Sequence, residues 1–186
     1  YFANLIILTQ SIKDWYNFAF MDSKTLQFII GHDGEDVTKF LLSPAKYPGI
    51  DIPMAAKCIE ARRKIKGKIP AFYREPALLY PDTLALEQCS SQQSAEYKSE
   101  LIPEGASVAD LTGGLGVDSY FLSLKGSKLD YFERKPHLAE AAKENFCTLG
   151  AMNISCHTAE LTLKDIQSPD FPYYDVIFID PARRDK

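Results

Sequence analysis

Between positions 107 and 119 the chain reads Ser107-Val108-Ala109-Asp110-Leu111-Thr112-Gly113-Gly114-Leu115-Gly116-Val117-Asp118-Ser119. A short apolar run suited to a buried strand passes into a glycine-rich turn and then into apolar residues at helical spacing. The same alternation continues downstream. Residues 128–133 predict a second strand, and residues 136–149 a helix opened by Pro136 and closed by Gly150. Residues 153–157 predict a third strand and residues 175–179 a fourth, which runs into Asp180-Pro181. Short strands alternating with helices predict an α/β fold with a parallel sheet.

Upstream the period changes. From Ser23 to about Ile69 apolar residues recur at helical spacing, with breaks at Gly31-His32-Asp33-Gly34, at Pro44 and at Pro48-Gly49. Pro53 falls where the first turn of a third helix would begin. Residues 70–83, with Pro70, Pro76 and Pro81, predict an extended linker, and one further helix is expected from about 83 to 101. The expected organisation is a helical subdomain with a proline-rich linker over 21–100, followed by the α/β part over 101–186. Residues 1–20 are apolar and aromatic, and read either as an upstream or appended segment or as an amphipathic helix.

The chemistry concentrates in the turn and at the strand ends. Glycine at 114 and 116 allows positive φ and close approach of a ligand to the backbone, and the helix start beyond supplies free N–H groups suited to a carboxylate. A dinucleotide fingerprint would want a third glycine where Ser119 stands. With an acid, Asp110, before the turn, the combination favours a loop for S-adenosylmethionine, in which Asp110 orders the turn and meets the cofactor's cationic end. Glu133 closes the second strand, where a carboxylate can accept hydrogen bonds from ribose hydroxyls. Glu160 follows the third strand, where it could meet the adenine amino group, and Asp180 ends the fourth. All four acids fall at carboxyl ends of parallel strands, the edge where open α/β sheets bind ligands.

Three segments carry a resemblance. Residues 108–119, Tyr131-Phe132-Glu133-Arg134-Lys135-Pro136 and 176–185 resemble the first, second and fourth motifs of class I methyltransferases that act on RNA. The first two are similar to segments of the bacterial ribosomal RNA guanine-N2 methyltransferase. Together with residues 87–98 and Asp180-Pro181-Ala182-Arg183-Arg184, the pattern resembles methyltransferases that carry a THUMP-like domain. The resemblance implies a partial Rossmann-like sheet in the order 3-2-1-4. A whole class I domain has seven strands, so the last three would be absent and the chain is expected to be a fragment. It also implies S-adenosylmethionine as cofactor, held by Asp110, Thr112, Gly114, Gly116, Glu133 and Glu160. Glu87, Gln88, Ser90 and Ser91 would lie over its methionine end, and Asp118 would support the loop. Asp180, Pro181 and Arg183 would face the target. Many relatives have an aromatic ring after the prolines of this last motif, which stacks on an extruded base. Here Ala182 and Arg183 replace it, and Arg183 or Arg184 would instead hold a phosphate or stack by its guanidinium plane.

Composition sets the outer bounds. With 186 residues, 46% of them hydrophobic, the chain can bury a core. With 21 basic and 25 acidic residues, it has no overall electrostatic pull toward nucleic acid. Residues 1–100 carry 12 of each sign and residues 101–186 carry 9 basic and 13 acidic. Within the neutral part, Lys57, Arg62, Arg63, Lys64, Lys66 and Lys68 have Glu60 as local counter-charge. This stretch is either a solvated helix face or a track for the backbone of RNA, the expected partner. Cys58, Cys89, Cys147 and Cys156 form no C-x-x-C pair, and His32, His137 and His157 complete no ligand set with them. No metal is expected, and reduced thiols suit a cytoplasmic protein. Lys13 and Asp14 interrupt the opening apolar stretch, so neither a membrane span nor a signal peptide is expected.

Overall fold

The computed structural model describes residues 21–180; the expectations for residues 1–20 lie outside them. In chain order the elements are α1 (Ser23–Gly31), α2 (Thr38–Leu41), a 3₁₀ turn (Pro44–Lys46), α3 (Ile52–Lys68), α4 (Pro70–Tyr73), α5 (Thr83–Gln88) and α6 (Gln92–Glu100). Then come β1 (Ser107–Asp110), α7 (Val117–Ser123), β2 (Lys128–Glu133), α8 (Pro136–Thr148), β3 (Ile154–Thr158), α9 (Leu163–Ile166) and β4 (Val176–Phe178).

The four strands form one sheet in the order β3-β2-β1-β4, with every neighbouring pair parallel. Asp110 is in register with Tyr131 on one side and Phe178 on the other, and Glu133 with Thr158. The register brings the carboxyl ends of all four strands to one edge. Val108, Ala109, Leu129 and Tyr131 are fully buried, as strands covered on both faces must be.

Three stretches differ from the sequence expectation. The proline-rich segment is core rather than linker. Pro70 sits in the first turn of α4, where its missing N–H costs nothing, and Phe72, Leu78, Leu79 and Tyr80 are all buried. The Asn145 side chain on α8 mimics a strand partner for Leu79: its Oδ1 accepts the Leu79 N–H at 2.7 Å and its Nδ2 donates to the Leu79 carbonyl at 2.9 Å. The single helix expected over 83–101 is two. Cys89 and Ser91 are extended, and Ser91 Oγ accepts the Ser94 N–H at 3.2 Å, so the serine caps a new helix instead of continuing the old one. Lys68 Nζ closes α5 by donating to the carbonyls of Leu86 and Glu87. The short helix α9, which the periodicity did not reveal, has a capping box between Thr162 and Asp165.

The boundary expected at 100/101 is crossed by a shared core. Ile65, Ile69, Phe72, Leu78 and Leu86 form one apolar cluster with Val117, Phe121 and Leu138 of α7 and α8. The first helices have a cluster of their own around Ile29, Phe40, Ile52 and Ile59. The helical part is thereby fixed against the elements that follow the glycine-rich turn.

Candidate functional site

Asp110, the last residue of β1, is 1% exposed, and both of its oxygens serve the turn. Oδ1 accepts the Thr112 N–H at 2.9 Å, and Oδ2 accepts the Ser119 hydroxyl at 2.5 Å. Burial raises its pKa to about 6, against the opposing pull of those hydrogen bonds, and the charge of Asp118 adds to the rise. Of the two roles expected for this acid, its contacts perform the first, ordering the loop.

The turn is clamped from β2. Gly114 takes φ +56° and Gly116 φ +77°, the left-handed region that glycine enters without penalty. Gly114 N–H donates to Glu133 Oε2 at 2.9 Å, the Tyr131 hydroxyl donates to the Gly114 carbonyl at 2.6 Å, and Gly113 N–H donates to the Phe132 carbonyl at 2.9 Å. A Cβ on Gly113 would fall inside the Tyr131 ring, and one on Gly116 would lie 2.5 Å from Phe146 Cζ. Gly113 was missed by the sequence reading, because its reason is an aromatic ring on the neighbouring strand.

Glu133 also accepts the Lys135 N–H on Oε1 at 2.8 Å. Each of its oxygens therefore has one backbone donor, and an ionised carboxylate has about four acceptor sites. The half-buried group can accept further donors such as a diol. Above Gly114 the space is open, since a Cβ there would meet nothing nearer than the Thr112 carbonyl oxygen at 3.8 Å. An open backbone cradle beside a carboxylate that can take two hydroxyls fits the nucleoside part of the expected cofactor.

On the β4 side a different set of residues converges. Thr112 Oγ1 accepts the Asp180 N–H at 2.7 Å, tying the turn to the end of β4. The Asp180 carboxylate accepts Lys98 Nζ at 2.7 Å, and the same ammonium donates to Asp118 Oδ1 at 3.1 Å and to Ser90 Oγ at 2.9 Å. Ser90 Oγ in turn donates to Asp118 Oδ2 at 2.8 Å. Burial works against the charge on Lys98, but the bond to Asp180 and the charge of Asp118 outweigh it and raise its pKa. The structure thus joins Ser90, Thr112, Asp118 and Asp180 around a lysine that the sequence reading passed over.

Other expected residues stand apart. Ser91 caps α6 and lines a cleft of about 270 Å³ with Gly67, Lys68, Gln92 and Glu96. Glu160 is 66% exposed in an ion pair at 3.2 Å with Arg134, and Glu87 pairs with Lys64 at 2.7 Å. Pro181 and Arg183, with Ala182 and Arg184, lie outside the described residues.

Much of the basic stretch on α3 is used within the chain. Arg62 is 6% exposed, bonded to Asp33 at 3.1 Å and packed over the Tyr73 ring. Arg63 donates to the carbonyls of Gly34 and Glu35, and Lys64 and Lys68 hold α5. Lys57 and Lys66 are exposed on the same helix. Among the described residues no group of three His, Cys, Asp or Glu is placed to hold a metal ion, and no helix is long and apolar enough to cross a membrane.

No protein-family model matches the chain, and no curated protein matches it. Among solved structures it is similar to one named "putative methyltransferase" from Porphyromonas gingivalis W83, at 30% identity and a TM-score of 0.73. That match covers 89% of this chain, which spans 42% of the other's length. An rRNA methylase from Streptococcus thermophilus matches at 22% identity and a TM-score of 0.33, over 36% of this chain and 40% of the other. Coclaurine N-methyltransferase bound to N-methylheliamine and SAH matches at 11% identity and a TM-score of 0.42, over 91% of this chain and 55% of the other. The last two likenesses are too slight to carry weight. The first, with the 3-2-1-4 parallel sheet, gives the fold: that of a class I methyltransferase.

Proposed function

We propose that the protein is an S-adenosylmethionine-dependent methyltransferase that acts on a base in RNA. The observation that carries the cofactor is the clamp of Glu133 on the Gly114 N–H, which sets a ribose-accepting carboxylate beside an open glycine cradle at the carboxyl edge of the sheet. The Porphyromonas gingivalis relative supports the same class. The motifs at 87–98 and 180–184 favour the methyltransferases with a THUMP-like domain, and through them an RNA target. The four free cysteines suit a reducing cytoplasm.

When bound, the cofactor supplies a methyl group activated by a sulfonium. Catalysis of such a transfer rests on alignment and exclusion of water. In this chain Asp110, Tyr131 and Glu133 fix the turn, Glu133 offers its remaining lone pairs to the ribose, and Thr112 holds the end of β4, where Asp180 faces the target.

A second reading, methylation of a protein or small molecule, is favoured by the internal engagement of Arg62, Arg63, Lys64 and Lys68, which removes them from an RNA track. Transfer of tritiated methyl from labelled cofactor tests both. Label entering ribosomal or transfer RNA and lost on nuclease treatment supports the first, whereas label that survives nuclease selects the second. Absence of label in every fraction would leave a cofactor-binding module without activity.

A further inference from the structure

Arg62 and Tyr80 lie outside the proposed chemistry, and each is only 6% exposed. Both keep polar atoms that meet no hydrogen-bond partner among the described residues: Nε and Nη1 of the guanidinium and the hydroxyl of the phenol. Buried polar groups without a partner are costly, charged ones most of all, and are rare in native proteins.

One side of Arg62 is satisfied. Its Nη2 donates to Asp33 Oδ2 at 3.1 Å, and the Tyr73 hydroxyl donates to the same oxygen at 2.7 Å. Burial works against the charge on Asp33, but the bonds from Tyr73 and Arg62 outweigh it and hold its pKa down, so this carboxylate is ionised. The Tyr73 ring covers a face of the guanidinium, its centre 4.6 Å away. Two further groups feel the Arg62 charge, Tyr80 and Cys58. Burial pushes both up against the pull of that charge, the thiol to about 12. They stay protonated and bring hydrogens, not negative charge.

Donors outnumber acceptors here. Nε carries one hydrogen, Nη1 two and the phenol one, and among these atoms only the phenol oxygen can accept. A bridging water brings two hydrogens of its own and needs several polar partners, which this set of donors does not supply. A halide-sized anion accepts from every donor and gives none. It also completes the charge: Arg62 and Lys66, whose ammonium lies 5.5 Å from the centre of the Tyr73 ring, face a single carboxylate, Asp33.

We propose that Arg62 Nε and Nη1 and the Tyr80 hydroxyl are the donors of an internal site for a small monovalent anion, with chloride as its common occupant. Arg62 lies on α3 between Ile59, in the cluster of the first helices, and Ile65, in the cluster shared with α7 and α8, to which Tyr80 also belongs. The anion therefore pins the seam between the two clusters. The site is independent of the cofactor assignment and is tested without it.

Urea unfolding of the 186-residue chain reads the site, with chloride replacing gluconate at constant ionic strength, since gluconate is too large for a buried position. For a dissociation constant of about 10 mM, about 100 mM chloride should lower the unfolding equilibrium constant about tenfold, and saturably. In Tyr80→Phe, which keeps the ring and removes a donor, the dependence should shrink to about twofold or less. Arg62→Lys, which keeps the charge and loses the fork of donors, should lose the dependence as well. The chloride NMR line gives a second readout on the folded protein, broadened by the unaltered chain and much less by either variant. An unfolding equilibrium that chloride leaves unchanged in the unaltered chain, a line that it does not broaden, or equal effects in the variants would overturn the proposal.

Discussion

At the β1–β2 end of the sheet's carboxyl edge, the acids are held by the backbone. Asp110 accepts the Thr112 N–H and Glu133 accepts the N–H groups of Gly114 and Lys135. At the β4 and β3 ends, Asp180 and Glu160 are exposed, and each is held by a flexible cation from elsewhere in the chain, Lys98 and Arg134. Backbone donors fixed by a strand and a turn do not rotate away, whereas lysine and arginine side chains have many rotamers and exchange partners at little cost. One end is a preformed socket and the other is adjustable. The proposed methyltransferase would have use for both, a constant cofactor body on one side and a changing set of partners on the other.

The largest test of the rigid end is Gly113→Ala. Its methyl group would enter the Tyr131 ring, which is buried and bonded to the Gly114 carbonyl. Overpacking of this kind is expected to cost about 3 kcal/mol in denaturant unfolding. A cost under about 1 kcal/mol would mean that the ring moves freely and that the socket is not preformed.

Asp110 provides the next effect through pH. Its folded pKa is raised to about 6 from an ordinary 3.8. The folded state therefore binds its proton more tightly than the unfolded state. The stability this contributes is fully present below pH about 4 and lost as the pH rises through about 6. Asp110→Asn keeps an oxygen for the Thr112 N–H, its amide can donate to Ser119, and it carries no charge. Relative to the unaltered chain it should gain roughly 2 kcal/mol on going from pH 4 to pH 8, read by unfolding at each pH. A difference independent of pH would show that the carboxyl is ionised in the folded state without penalty.

Comparing Glu133→Ala with Glu160→Ala measures the two ends against each other. The first should weaken S-adenosylhomocysteine by about tenfold or more, through loss of a charged acceptor and of the clamp on Gly114. The second removes an exposed carboxylate paired with Arg134 and should change affinity by less than about threefold. Equal or reversed effects would put the ribose contact elsewhere.

The same contrast explains what the sequence made legible. The socket can be read because its requirements are local or fall at strand ends: glycine where φ is positive at 114 and 116, an acid at the end of β1, an acid at the end of β2. The four strands could be read from apolar runs bounded by turns, whereas their order, which the structure has as β3-β2-β1-β4, came from the family resemblance. Lys98 could not, because its partner Asp180 lies 82 residues away and only the fold brings them together. Gly113 needed knowledge of Tyr131 across the sheet. The prolines at 70, 76 and 81 suggested a linker, but Leu78 and Leu79 are buried and Asn145 supplies the backbone partner that makes this possible. Arg62 reads as a surface cation in a basic helix, and its burial depends on Asp33 and Tyr73, both outside that helix.

Isothermal titration of the chain with S-adenosylhomocysteine and, separately, with NAD tests the cofactor assignment most directly. The Glu133 clamp suits the ribose of either ligand, but Ser119 in place of a third glycine and the buried Asp110 before the turn predict saturable binding of S-adenosylhomocysteine and none of comparable strength with NAD. Preference for NAD, or no binding of S-adenosylhomocysteine, would contradict it.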